Sequence, residues 1–124
     1  MKYLFDTNSC IHLLSGTYPA LTARVAETEA GAIGISSISF AELALGTHIG
    51  KSPDRSLLDD FISEVPIQDF GEAAARAYAR LPFRLANFDR LIAAHALSLG
   101  SILITHNRKD FADISHLITE DWTA

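Results

Sequence analysis

Short apolar runs recur along this chain with a helix-length segment between each, and that alternation constrains the fold more than any other feature. The runs are Lys2–Phe5, Gly31–Ile35, Val65–Ile67, Ser101–Thr105 and Leu117–Thr119. Ser101-Ile102-Leu103-Ile104-Thr105 has the unbroken apolar character of a strand buried on both faces. Val65-Pro66-Ile67 suits an edge, because proline cannot donate to a ladder. Strands alternating with helices argue for a parallel sheet covered on both sides.

The intervening segments carry helical signals. A first helix, Ser9–Ser15, stops at Gly16, and Pro19 opens a second through Leu21 and Val25. Ser36 to Gly50 follows, anchored by Phe40, Leu43 and Leu45, and Ser52-Pro53-Asp54 opens a helix with Leu57, Leu58, Phe61 and Ile62. Two more are predicted at Gly71–Arg84 and Asp89–Leu99, the latter closed by Gly100, and a short one near Lys109–Ala112. The 124 residues suffice for one domain spanning 1–124, with no internal repeat, low-complexity tract or linker.

Composition narrows the function class. Hydrophobic residues make up 48% of the chain and charged residues 20%, an ordinary globular balance. No apolar run approaches the ~18–20 residues of a membrane span, and Asp6 cuts the N-terminal run short of a signal peptide, so a cytoplasmic protein is expected. Cys10 is the single cysteine, which fits a reducing compartment and excludes a thiolate-rich metal site. A net charge of −5 opposes bulk attraction to nucleic acid, although bound divalent cations reverse the sign locally. Arg76, Arg80 and Arg84, spaced by four, form a stripe that is either a solvated face or a phosphate contact.

Acids stand where the apolar runs stop. In Leu4-Phe5-Asp6-Thr7-Asn8, a carboxylate follows the first strand, the place where open α/β sheets bind ligands; Asp6 serves equally as a helix cap. Glu42 follows the second strand. It either completes a Ser39–Glu42 capping box or, with Ser36 or Ser37 as the cap, lies one turn into the helix and points across the sheet's end. Asp89 opens the apolar helix, where amides and dipole favour an anion, and Asn107 follows the Ile102–Ile104 strand. Separate structural roles do not predict that all four converge on one crevice. His106 neighbours that crevice; His12, His48, His95, His106 and His116 show no zinc spacing. Glycine patterns for phosphate, dinucleotide or serine-nucleophile sites are absent.

Four segments taken in order, Phe5–Asn8, Ser39–Leu43, Phe88–Ala96 and Leu103–Phe111, resemble the PIN-domain ribonucleases, and within them the VapC toxins of prokaryotic toxin–antitoxin pairs. The resemblance spans essentially the whole chain, to Glu120-Asp121-Trp122. It implies a PIN-like α/β fold with a five-stranded, mostly parallel sheet and helices on both faces. It also implies a Mg2+-dependent (or Mn2+-dependent) endoribonuclease with an RNA substrate, a cognate antitoxin partner and a homodimeric state. By position, Asp6, Glu42, Asp89 and Asn107 match the catalytic metal-binding set, with Thr7, Asn8 and Thr105 as polar supports. Asn107 carries one charge fewer than an Asp would, which weakens the hold on a second ion; Asp110 could supply it, though a helix-start role is favoured. Two other classes place an acid after the first strand. A haloacid-dehalogenase-like phosphatase wants a second acid where Asn8 stands, and a receiver domain wants a late strand-end Lys that Thr105-His106-Asn107 does not supply. A PIN fold that binds RNA or a partner without cutting is the remaining alternative.

Overall fold

The computed structural model describes residues 1–124. Its elements run β1 (Tyr3–Phe5), α1 (Thr7–Ser15), α2 (Pro19–Glu27), β2 (Ile33–Ser36), α3 (Ser37–His48), α4 (Arg55–Glu64), β3 (Ile67–Gln68), α5 (Glu72–Ala79), α6 (Phe88–Leu99), β4 (Ile102–Ile104), a 3-10 turn (Arg108–Phe111) and β5 (Thr119–Glu120). The five strands lie in the order β3-β2-β1-β4-β5, and every pairing is parallel. Tyr3 of β1 faces Ile33 of β2 on one side and Ile102 of β4 on the other.

Period-two alternation divides the central strand between two cores. Phe5 packs with Cys10, Leu21, Leu43, Phe61 and Trp122 on one face. Leu4 packs with Ile92, Ala93, Ala96, Phe111 and Ile114 on the other. Burying side chains such as these contributes roughly 1.5–3 kcal/mol each, so short strands are held chiefly by helices above and below. Gly16 and Gly100 close α1 and α6 with φ of 68° and 65°, left-handed backbone that glycine adopts without strain. No helix is long and apolar enough to cross a membrane.

All carboxyl ends of the strands fall on one edge of the sheet. Strand order reverses direction at β1: the chain moves outward to β2 and β3, then returns to build β4 and β5 on the other side. The crevice at such a switch is where open α/β sheets take ligands. β3 is an edge strand, and Pro66 joins its neighbour only as an acceptor, its carbonyl receiving the Ile35 N–H at 3.1 Å.

Several boundaries differ from the sequence reading, among them β2 (Ile33–Ser36, expected from Gly31) and β3 (Ile67–Gln68, expected from Val65). The helix expected over Gly71–Arg84 ends at Ala79, because the residue before Pro82 is pushed out of helical backbone. The arginine stripe is therefore broken: Arg76 pairs with Glu72 at 2.7 Å, and Arg84 leaves the helix to reach Asp113 at 3.4 Å. The last strand starts at Thr119, two residues later than expected, after His116 turns with φ of 69°. On α6, Ile92 to Ala96 are buried but Phe88 is exposed, and Phe83, Leu85, Leu45, Ile118 and Ile49 are the other strongly exposed hydrophobics.

His95 is buried on α6, its Nδ1 2.8 Å from Ser36 Oγ and its ring edge-on to Phe70. Burial lowers its pKa, with Asp69 pulling partly the other way. The unfolded chain, with histidine near 6.5, therefore takes up the proton more readily than the folded one. Stability is full above that value and falls as pH drops below it. A pH series from 7.5 to 5.5 is expected to show a falling melting temperature, with a shallower slope for His95→Gln; equal slopes would contradict this role.

Candidate metal centre at the carboxyl edge of the sheet

Asp6 is fixed by the junction it occupies. Its N–H donates to the Ile104 carbonyl across β1 and β4, at 3.1 Å. Its Oδ1 accepts the Ser9 N–H at 2.8 Å and caps α1, while Ser9 Oγ donates to the same Ile104 carbonyl. The cap reading holds: the cap engages Oδ1, and Oδ2 accepts no hydrogen bond. The residue is only 6% exposed.

The next residue recruits the second acid. Thr7 is buried at the first position of α1, and its hydroxyl donates to Glu42 Oε1 at 2.6 Å. Glu42 is free for this because Ser36, not Ser39, caps α3, accepting the Ile38 N–H at 3.1 Å. That places Glu42 in the second turn, too far along the helix for a capping box. Asp89 is released in the same way. Asn87 caps α6 by accepting the Arg90 N–H at 2.9 Å, so the Asp89 carboxylate two residues on is not needed by the helix end.

Electrostatics couple the acids unfavourably. The Asp89 pKa is raised, first by burial and then by the negative charges of Asp6, Glu42 and Asp110. Asn107 has an exposed side chain; its backbone N–H donates to Thr105 Oγ1 at 3.1 Å, which starts the 3-10 turn. Asp110 lies in the 3-10 turn that Asn107 precedes, and its negative charge acts on Asp89. The helix-start role that the sequence favoured for Asp110 coexists with this one. Asn8 is exposed, and no hydrogen bond ties it to the carboxylates.

The donors are oxygens throughout, which suits a hard dication such as magnesium and not the nitrogen and sulfur preference of zinc. No three acidic, histidine or cysteine side chains already converge into a closed cage. An ion that retains several waters and takes further oxygens from a substrate does not need one. Charge balance gives the stronger test of fit: without a cation, Asp89 is the carboxyl most disfavoured in its ionised form. The sign follows. A carboxyl raised in the folded state adds stability at low pH and loses it as pH rises through the raised value. Asp89→Asn should therefore raise the melting temperature at neutral pH in EDTA and diminish the stabilisation that magnesium gives the wild type. A lower melting temperature in EDTA would contradict the mutual repulsion.

One buried cation frames the crevice, and the sequence reading passed over it. Arg90 makes two bonds of 3.0 Å to the Asp113 carboxylate and a third of 3.1 Å to the Pro82 carbonyl. The Arg90 hydrogen bonds hold the Asp113 carboxyl below its usual range, with further help from Arg84. This clamp ties the α5–α6 loop and the segment after the 3-10 turn to the helix that carries Asp89. Its only sequence signal was a charged residue in an otherwise apolar helix.

Comparison with known proteins agrees with this arrangement. The family model described as PIN domain matches residues 3–117. The chain is 33% identical to the tRNA(fMet)-specific endonuclease VapC of Shigella flexneri, over 99% of each chain. It is 35% identical to Ribonuclease VapC2 of Rickettsia felis, over 98% of each. Among solved structures, VapBC2 from Rickettsia felis bound to a DNA fragment from their promoter matches with a TM-score of 0.84 and 32% identity, over 98% of this chain and 99% of that one. DNA-bound VapBC from Salmonella typhimurium matches with a TM-score of 0.86 and 29% identity, over 98% of each. From its five parallel strands to the acids at their carboxyl edge, this chain belongs to the PIN-domain family, among its VapC proteins.

Proposed function

We propose that this protein is a magnesium-dependent endoribonuclease and the toxin of a toxin–antitoxin pair. The observation that carries the reading is Asp89 at the switch point of the sheet, its pKa raised first by burial and then by the negative charges of Asp6, Glu42 and Asp110. Asp6, through Oδ2, and Asp89 would hold the ion, with Asn107 and Asp110 flanking it. A bound magnesium supplies charge neutralisation at the phosphate and a bound water of lowered pKa. Thr7 orients Glu42 by its hydrogen bond, which keeps the other Glu42 oxygen available to accept a proton from attacking water. The Ser9 N–H holds the Asp6 carboxylate and the Ile104 carbonyl holds the Asp6 main-chain N–H, so the site is arranged before substrate arrives. Hydrolysis adds water across the phosphodiester, leaving one phosphate end and one hydroxyl end.

The relatives' names make tRNA(fMet) the first RNA to test, and the cognate partner is an antitoxin that covers the cleft. The purified chain should cut this tRNA in magnesium and stop when the antitoxin is added. Intact RNA after prolonged incubation in magnesium and manganese would favour the second reading, a PIN fold that binds without cutting. We place the chain in the cytoplasm as a homodimer, and the exposed Phe83, Leu85, Leu45 and Ile49 are apolar surface that pairing could cover. Light scattering should give twice the chain mass at micromolar concentration; a monomer mass unchanged with concentration would contradict the pairing.

A further inference from the structure

Three rings from separate segments meet on the β5 side of the carboxylates. His12 lies on α1, about two turns beyond Asp6; Tyr18 lies between α1 and α2; His106 lies two residues past β4, one residue before Asn107. The His12 and Tyr18 rings are 4.9 Å apart and edge-on, Tyr18 and His106 are 5.5 Å apart at 39°, and His12 and His106 are 6.1 Å apart and edge-on. His106 is exposed and the other two are half-buried, so the cluster opens to solvent. His12 Nδ1 is enclosed without a hydrogen-bond partner, a polar atom that packing alone leaves uncompensated. Helix initiation does not account for Tyr18, which precedes α2 without a side-chain cap bond. His106 Nδ1 lies within hydrogen-bond distance of Asp121 and Thr123, which fixes the ring plane.

The surroundings divide by charge. Asp6, Glu42, Asp89 and Asp110 occupy the crevice, whereas the turn after His106 carries the exposed cations Arg108 and Lys109. The acids on this side are both engaged: Asp121 by Thr123 and His106, Glu120 by Arg24 and Trp122. A strand of RNA leaving the metal centre towards β5 therefore meets cations for its phosphates and ring faces for its bases.

We propose that the His12–Tyr18–His106 cluster is a stacking site for one unpaired nucleobase next to the scissile phosphate. The proposal rests on the ribonuclease reading and adds a substrate requirement to it, an unstacked base at a fixed position beside the cut. Single-stranded RNA is recognised through aromatic side chains that stack its bases, and the gain per base reaches tenfold or more in affinity. The polar Nδ1 of His12, lying against the same rings, offers a hydrogen bond to a base edge once the rings part to admit it.

The test uses the full-length chain and a single-stranded oligoribonucleotide that it cuts. Tyr18→Leu keeps an apolar side chain but removes the ring, and is expected to raise KM about tenfold; Tyr18→Phe should stay near the wild type. A series of oligonucleotides, each with one abasic position around the cut, should show a single position at which the wild type loses the same factor and Tyr18→Leu loses nothing further. An unchanged KM in Tyr18→Leu, or equal losses at every abasic position, would overturn the stacking site. If Tyr18→Leu instead weakens only antitoxin binding, the surface belongs to a protein partner and the proposal fails. Absence of cleavage by the wild type would count against the ribonuclease reading itself. Stacking then has its own readout, quenching of 2-aminopurine in the oligonucleotide by the wild type and loss of that quenching in Tyr18→Leu; absence of quenching by the wild type would overturn it too.

Discussion

Asp6→Asn is expected to reduce magnesium-dependent RNA cleavage by about a thousandfold or more while leaving the protein folded. The two halves of this expectation have different causes. An amide oxygen caps a helix as well as a carboxylate does, so the bond from the Ser9 N–H survives the change. The substitution also removes a charge that raises the Asp89 pKa, and so relieves repulsion in the metal-free state. The oxygen facing the crevice is what is lost. A neutral amide is a poor ligand for a hard dication, and each 1.36 kcal/mol of transition-state stabilisation removed costs a factor of about ten. Metal ions supply several kcal/mol of such stabilisation. Melting temperatures of wild type and variant should agree within a few degrees in EDTA, while single-turnover cleavage separates them. Full activity in Asp6→Asn would reduce Asp6 to a helix cap.

Arg90→Ala is the second large effect, and it acts on stability. The guanidinium is buried and saturated by Asp113 and the Pro82 carbonyl. Removing it opens a cavity under the α5–α6 loop and strips that carbonyl of its donor. Asp113 lies closer to solvent than Arg90 and retains Arg84, so its carboxylate can be rehydrated. The cost should therefore fall below that of a stranded buried charge, at about 2–3 kcal/mol, or roughly 8–12 °C in melting temperature for a chain of this size. Asp113→Ala leaves the buried cation unpaired and should be worse. The folded Asp113 pKa is lowered, so the clamp's contribution is present above the ordinary carboxylate range and is lost as pH falls through the lowered value. A melting temperature within 2 °C of the wild type for Arg90→Ala would mean that the loop holds without the clamp.

The parts of this fold that depend on local pattern were readable in the sequence. Ile102–Ile104 is apolar on both faces and lies inside the sheet, and Pro66 marks the edge because it lacks a donor. Helix ends were readable where a single residue decides them, as at Gly16 and Gly100. They were misread where apolar spacing continued past a stop: the pattern from Gly71 runs smoothly to Arg84, but Pro82 ends the helical backbone sooner. In the site, Asp6, Glu42 and Asp89 stood out because each follows a strand or opens a helix. Which of them were free of capping duties was not decidable, since Ser36, Ser37 and Ser39 offered competing caps. The structure resolves that choice through the Ser36 to Ile38 bond. Asp110 acts on Asp89 from the far-off 3-10 turn, and the Arg90 clamp joins residues 23 apart. The ring cluster joins His12 to His106. Periodicity does not reach contacts of that kind.

The central claim is that oxygen ligands at one edge of the sheet hold a divalent cation that makes this chain a nuclease. Cleavage of tRNA(fMet) by the wild-type protein across a magnesium titration tests it most directly. The account predicts no cleavage in EDTA, a saturable rise with added magnesium, a shift of that curve to higher concentration in Asp89→Asn, and a lower plateau in Glu42→Gln. Cleavage undiminished by EDTA, with both variants cutting like the wild type, would contradict it.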